Sequence, residues 1–182
     1  AEHTFSVLDP PQESGPLYHP RMFMIVNRIG FAGNSLGMAR GTMDAFVDLA
    51  AHTRSSMMAA PLRARPLVQT AVAEAEIIIS AARAHVLDAV GTALEAACLR
   101  VPDPSREVAI ARMAITQAVR ESVRAVDLLF QAAGTNAIYR KHPFERFFRD
   151  VHVAAQHGSG LTSNFESGGR VMMGLSPDDF GW

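Results

Sequence analysis

A single cysteine, Cys98, stands in the 182 residues. One thiol cannot build an internal disulfide framework, a CxxC redox pair or a zinc ribbon. Excess charge is missing as well, since 17 Lys and Arg against 18 Asp and Glu leave a formal net charge of -1. The chain therefore lacks the basic field of a nucleic-acid binder and the polybasic cluster of a membrane anchor. No window of eighteen residues is free of charge. The nearest candidate for a membrane span, residues 22–51, holds Asn27, Arg28, Asn34, Arg40, Asp44 and Asp48, so none is expected there. No basic-then-apolar leader follows Ala1, and the expected compartment is the cytoplasm. Beyond residue 20 there is no useful run of alternating apolar and polar residues, which excludes a sheet-based core.

What the chain does have is apolar material and helical spacing. Hydrophobic residues make up 48%, ample for a packed core. Residues 1–21 carry Pro10, Pro11, Pro16 and Pro20, and prolines restrict both themselves and their predecessors. That segment reads as an extended linker from an upstream domain, with residues 22–182 forming a helical bundle. A first helix is expected from Met22 to about Thr53. Within it Gly33, Gly37 and Gly41 recur every four residues and draw a smooth strip, suited to a tight helix–helix contact or to a close ligand. Residues 54–66 form a linker with two prolines and three arginines. A long helix follows from about Leu67 to Arg100, its stripe stepping through Val68, Val72, Ala75, Ile79, Ala82, Val86, Val90, Ala93 and Ala97.

Pro102-Asp103-Pro104 breaks that helix and starts the next, with Asp103 as N-cap and Pro104 at the first helical position. Its stripe runs from Val108 through Ile115, Ser122 and Leu129 until Gly134 ends it. A shorter helix from Pro143 to about His157 lines its inner side with Phe144, Phe147, Phe148 and Val151. Residues 162–174 are rich in glycine and ambiguous. The fold class that follows is all-α, an antiparallel four-helix bundle with room for a fifth element.

The seven histidines do not make a metal site by spacing. No two stand at i, i+4, and neither HExxH nor GxSxG occurs. On composition and spacing alone the chain is a helical bundle without an assigned role.

The stretch FQAAGTNAIYRKHPFERFFRDVHVAAQHGSG, residues 130–160, resembles the C-terminal helical domain of the acyl-CoA dehydrogenase superfamily. Gln131 and Gly134 match its Gln-x-x-Gly-Gly turn, and Pro143, Glu145, Arg146, Arg149 and Asp150 match the helix that leads to its active site. The resemblance implies a flavin site and a tetramer in which these bundles meet. Two departures select a branch. Where dehydrogenases of the family carry a substrate-deprotonating glutamate stands Gly158, which cannot take a proton. His157 precedes it, and this pattern resembles the two-component flavin-dependent monooxygenases, which hydroxylate small organic and mostly aromatic substrates with O2 and reduced flavin from a separate reductase. Thr135 replaces the second glycine of the turn, which leaves FMN and FAD both open. The resemblance implies His157 as the catalytic residue and Arg54, Gln131, Gly134 and Thr135 as flavin contacts, with no metal. The alternatives are an acyl-CoA dehydrogenase domain and a non-catalytic assembly module. His157 is open to a second reading, as a helix C-terminal cation, and Gln131 as a simple cap. Arg149 and Asp150 are expected to tie helices together; His142 and His152 are expected at the surface.

Overall fold

The computed structural model describes residues 9, 12–53, 61–103 and 105–177. Ten positions of the anticipated N-terminal linker, residues 1–8, 10 and 11, lie outside that range, as do Arg54 and Pro104. Five α-helices make up the described chain: α1 (Pro20–His52), α2 (Pro66–Cys98), α3 (Ser105–Ala133), α4 (Phe144–Ala154) and α5 (Ser163–Met172). Four short 3-10 turns join or flank them, and no strand occurs among the described residues. The segment that was ambiguous in sequence is thus the fifth helix.

Helix ends follow from local chemistry. Pro20 and Pro66 each occupy the start of a helix, where a missing amide hydrogen costs nothing. At the end of α2, Arg100 adopts φ 52°. The amide of Val101 bonds the carbonyl of Ala96 at 3.0 Å, and that of Arg100 bonds Ala97 at 3.2 Å. This is a Schellman closure. The Asp103 carboxylate then accepts from the Ser105 amide at 3.1 Å and from its hydroxyl, capping α3 as the sequence implied. Those two donors hold the Asp103 carboxyl below its usual range. After Ala133, Gly134 takes φ 58°, a left-handed conformation that suits glycine.

Facing residues fix the register. Arg40 of α1 meets Glu76 of α2 at 2.6 and 2.8 Å, while Asp48 and Gln69 line one groove and Ile29 and Leu87 another. Ascending numbers on one helix meet descending numbers on the other, so the pair is antiparallel. α3 is central and touches each of the other four helices. It buries Val108, Ile115, Val119, Val126 and Leu129 completely, interleaved with Ala111, Ala114, Ala118 and Ala125. Alanines bring the axes close, and the larger side chains fill what remains. Phe46 of α1 meets Phe144 of α4 edge to face, with centroids 6.4 Å apart.

The glycine strip behaves differently from its spacing. Only Gly41 faces a neighbour closely, because a Cβ there would lie 3.0 Å from the Phe147 ring. At Gly33 and Gly37 a Cβ would meet nothing within 4 Å. Both line an open groove of about 580 Å³ between α1 and α2, with Leu36, Ile79 and Leu87. On the outer side of α2, Leu67 is 86% exposed and Ile77 68%. By length and hydropathy α2, rather than residues 22–51, comes nearest to a membrane-crossing helix among the described residues. Ten of its side chains are nevertheless buried within the bundle.

Candidate functional site

The segment between α4 and α5 holds the residue singled out in sequence. α4 ends at Ala154, and His157 stands just before a 3-10 turn, Gly158–Gly160. His157 is therefore not a cation in the last turn of α4; it caps the turn that follows. The Ser159 amide donates to His157 Nδ1 at 3.2 Å, and the Ser159 hydroxyl lies at the same distance. A backbone amide can only donate, so Nδ1 is the unprotonated nitrogen of the neutral ring. Its proton resides on Nε2. The imidazole lies flat against Phe31 of α1, with centroids 3.6 Å apart and planes 9° from parallel.

Asn164, near the start of α5 and 2% exposed, holds the loop beneath this ring. Its Nδ2 donates to the carbonyls of Gly158 at 2.7 Å and Leu161 at 3.0 Å. Its Oδ1 accepts from Arg28 of α1 at 2.8 Å and from Arg112 of α3 at 3.3 Å. One carboxamide thus ties three helices to one loop. Arg112 is 1% exposed, and a guanidinium that deep requires such acceptors. Glycine is required at position 160, where a Cβ would strike the Ala155 carbonyl. At Gly158 a Cβ would meet nothing within 4 Å.

Gln131, Gly134 and Thr135 lie elsewhere. They surround the C-terminus of α3 and are exposed. Gln131 does not cap that end; the Asn136 side chain does, donating to the Ala133 carbonyl at 3.1 Å. Nineteen positions of α3 separate Gln131 from Arg112, roughly 28 Å of helix. His157 makes its contacts with Phe31 and Ser159 and makes none with the Gln131–Thr135 turn. Arg54, the remaining candidate, lies outside the described residues.

Two expectations on α4 are corrected. Arg149 pairs with Glu145 at 2.9 Å and with Asp150 at 3.4 Å, all on α4, so the set supports one helix and ties none together. His152 is half-buried. Its Nδ1 donates to the Phe148 carbonyl at 2.7 Å, and its Nε2 lies 3.5 Å from Asp127 Oδ1 of α3. Burial pushes the Asp127 carboxyl up, and the nearby His152 opposes that shift. His142 is also only partly exposed.

Sequence reasoning missed Phe31, Arg28, Arg112 and Asn164. Only Arg112 left a trace, as a charge at i+4 from Val108 and three before Ile115 on an otherwise apolar stripe.

The chain is similar to known proteins in sequence and in fold. The chain is 28% identical over 142 residues to an indole-3-acetate monooxygenase of Pseudomonas putida, covering 78% of this chain and 36% of that one. It is 30% identical over 148 residues to the flavin-dependent monooxygenase oxygenase subunit HsaA of Mycobacterium tuberculosis, covering 79% and 37%. The structure of XiaF from a Streptomyces species, in complex with FADH2 and glycerol, superposes with a TM-score of 0.83 at 22% identity, covering 95% of this chain and 44% of that one. The chain thus spans less than half the length of these relatives. Residues 29–160, which include α3, α4, Phe31, His157 and Ser159, match the acyl-CoA dehydrogenase C-terminal domain. The chain belongs to that family.

Proposed function

We propose that this chain is the C-terminal flavin-site and oligomerisation domain of a flavin-dependent monooxygenase, which hydroxylates a small, aromatic organic substrate with reduced flavin and O2. The observation that carries this reading is the pair His157–Gly158. Position 158 offers no base to remove a proton from a substrate, as a dehydrogenase needs, whereas its neighbour offers a fixed Nε2–H donor. The flavin is FMN or FAD, delivered reduced by a separate flavin reductase. Neither nucleic acid nor a membrane is a partner, and the compartment is the cytoplasm.

The residues fit such a group. A flavin ring edge presents carbonyl and nitrogen acceptors, which suit the exposed His157 Nε2–H, and Gln131 and Thr135 offer an amide and a hydroxyl at the C-terminal end of α3. Bound reduced flavin supplies the electrons that activate O2. His157, with its proton at Nε2, would donate to the oxygen that such a flavin activates and stabilise the charge developing there. In this reading the Gln131–Thr135 turn reaches a flavin held by a neighbouring copy. Each flavin then lies between two copies, His157 coming from one and the Gln131–Thr135 turn from the other. A homotetramer meets this need, and the exposed Leu67, Ile77 and Leu87 of α2 supply apolar surface for it.

His157→Ala in the complete enzyme tests the reading. Loss of one positioned donor in a dry site costs about 2.7–4 kcal/mol, two to three decades in rate. Hydroxylated product per reduced flavin oxidised should collapse, with hydrogen peroxide released in its place and flavin affinity little changed. A fully coupled mutant at parental rate would reduce His157 to a loop cap.

A further inference from the structure

We infer that Phe31 is a positioning residue that sets the direction of the His157 Nε2–H; the inference rests on the donor role proposed above. An imidazole on the surface has two side-chain torsions free to vary. The Ser159 amide restrains only one edge of the ring, and at 3.2 Å that hydrogen bond is long. It leaves rotation of the ring about its Nδ1 contact unrestrained. The Phe31 stack, 9° from parallel at 3.6 Å, removes that freedom. An in-plane anchor at Nδ1 and a planar support beneath the ring leave one direction for Nε2.

The support is itself fixed. Phe31 lies three residues after Arg28 on α1, and Arg28 bonds the Asn164 side chain that holds the Gly158 carbonyl. The helix carrying the phenyl ring and the loop carrying the imidazole are thus locked by a separate polar contact, so the stack does not depend on loop motion. Next to Phe31, Ala32 is fully buried, as is Ser35 one turn on, which seats this part of α1 in the bundle. Phe31 covers one face of the imidazole and leaves the other face and the Nε2 edge for the flavin and substrate.

Proton and nitrogen NMR of the His157 ring in the 182-residue chain reads this positioning without any flavin. The parent should show upfield-shifted ring protons from the phenyl current and the nitrogen pattern of a ring protonated at Nε2. In Phe31→Leu, which keeps apolar bulk at a half-buried site, the upfield shift should vanish and the proton should distribute over both nitrogens. Phe31→Tyr, which keeps a stacking ring, should resemble the parent. In the complete enzyme, product per reduced flavin oxidised should fall on the order of tenfold to a hundredfold for Phe31→Leu and recover in Phe31→Tyr. Unchanged His157 resonances in Phe31→Leu overturn the inference. So does altered ring behaviour with full coupling in Phe31→Leu while His157→Ala uncouples. If neither variant uncouples, the donor role of His157 fails, and the positioning role fails with it.

Discussion

Along α1, two stretches of one helix meet their surroundings in opposite ways. Around Arg28 and Phe31 each contact is directional and internal: a guanidinium on a carboxamide, a ring on a ring, with the loop of His157 pinned between α3 and α5. On its α2-facing side, from Gly33 to Asp48, the helix borders open grooves crossed by the ion pair of Arg40 with Glu76. The first stretch spends its polar groups on fixing one geometry. The second leaves apolar walls that the chain does not fill. The first stretch supplies the fixed geometry that the proposed donor needs, and the second supplies the open surface that the proposed association needs.

The sharpest way to break this contrast is to cut the pinned end. Asn164→Ala removes four hydrogen bonds, two of them from guanidinium groups, and leaves the Arg112 contact unmade in a buried site. A loss of about 3 kcal/mol is expected in urea unfolding, together with disappearance of the Phe31 ring-current shift on His157. A loss below about 1 kcal/mol would show that the clamp is not structural.

The open stretch should answer in association instead. Leu87→Glu places a charge on the wall of the α1–α2 groove, where the parent residue is 50% exposed. Monomer stability should change by less than about 0.5 kcal/mol. Sedimentation should show self-association weakened about tenfold or more, in keeping with one apolar side chain lost from an interface. Unaltered association would mean that the groove lies outside the interface.

The smallest effect belongs to the strut across the open side. The Arg40 hydrogen bond holds the Glu76 carboxyl below its ordinary value of 4.5. A depressed carboxyl stabilises the fold fully above that value and loses its contribution as pH falls through the lower folded value. Both side chains are over 40% exposed, so solvent screening limits Glu76→Gln to about 0.5–1 kcal/mol at neutral pH. Parent and variant should converge in acid thermal melts. A difference that persists at low pH would assign the pair to packing rather than charge.

The sequence revealed most where structure is written locally. The stripes of α2 and α3, the cap at Asp103 and the stop at Gly134 all follow from neighbours within a few positions. α5 was harder because Gly168 and Gly169 dilute its pattern, yet Gly168 sits where Met113 of α3 presses closest. His152 was misjudged because its partner, Asp127, belongs to another helix. The four-residue glycine spacing reported a smooth strip without saying whether this chain or another would cover it. His157 stood out as a candidate through the family resemblance and its place beside Gly158. Phe31 and Asn164, which hold it, stand more than a hundred positions apart, and no periodicity links them.

Position 158 bears on how such a fold changes its trade. Gly160, two residues on, is held to glycine by the Ala155 carbonyl, but at Gly158 the backbone is not left-handed and a Cβ would have free space. Sterics therefore impose no barrier between glycine and a carboxylate at that point. A single codon change there would add an acid–base group beside His157 without rebuilding the loop. The two chemistries of the superfamily would then be neighbours in mutational space, kept apart by selection on the reaction rather than by the demands of folding.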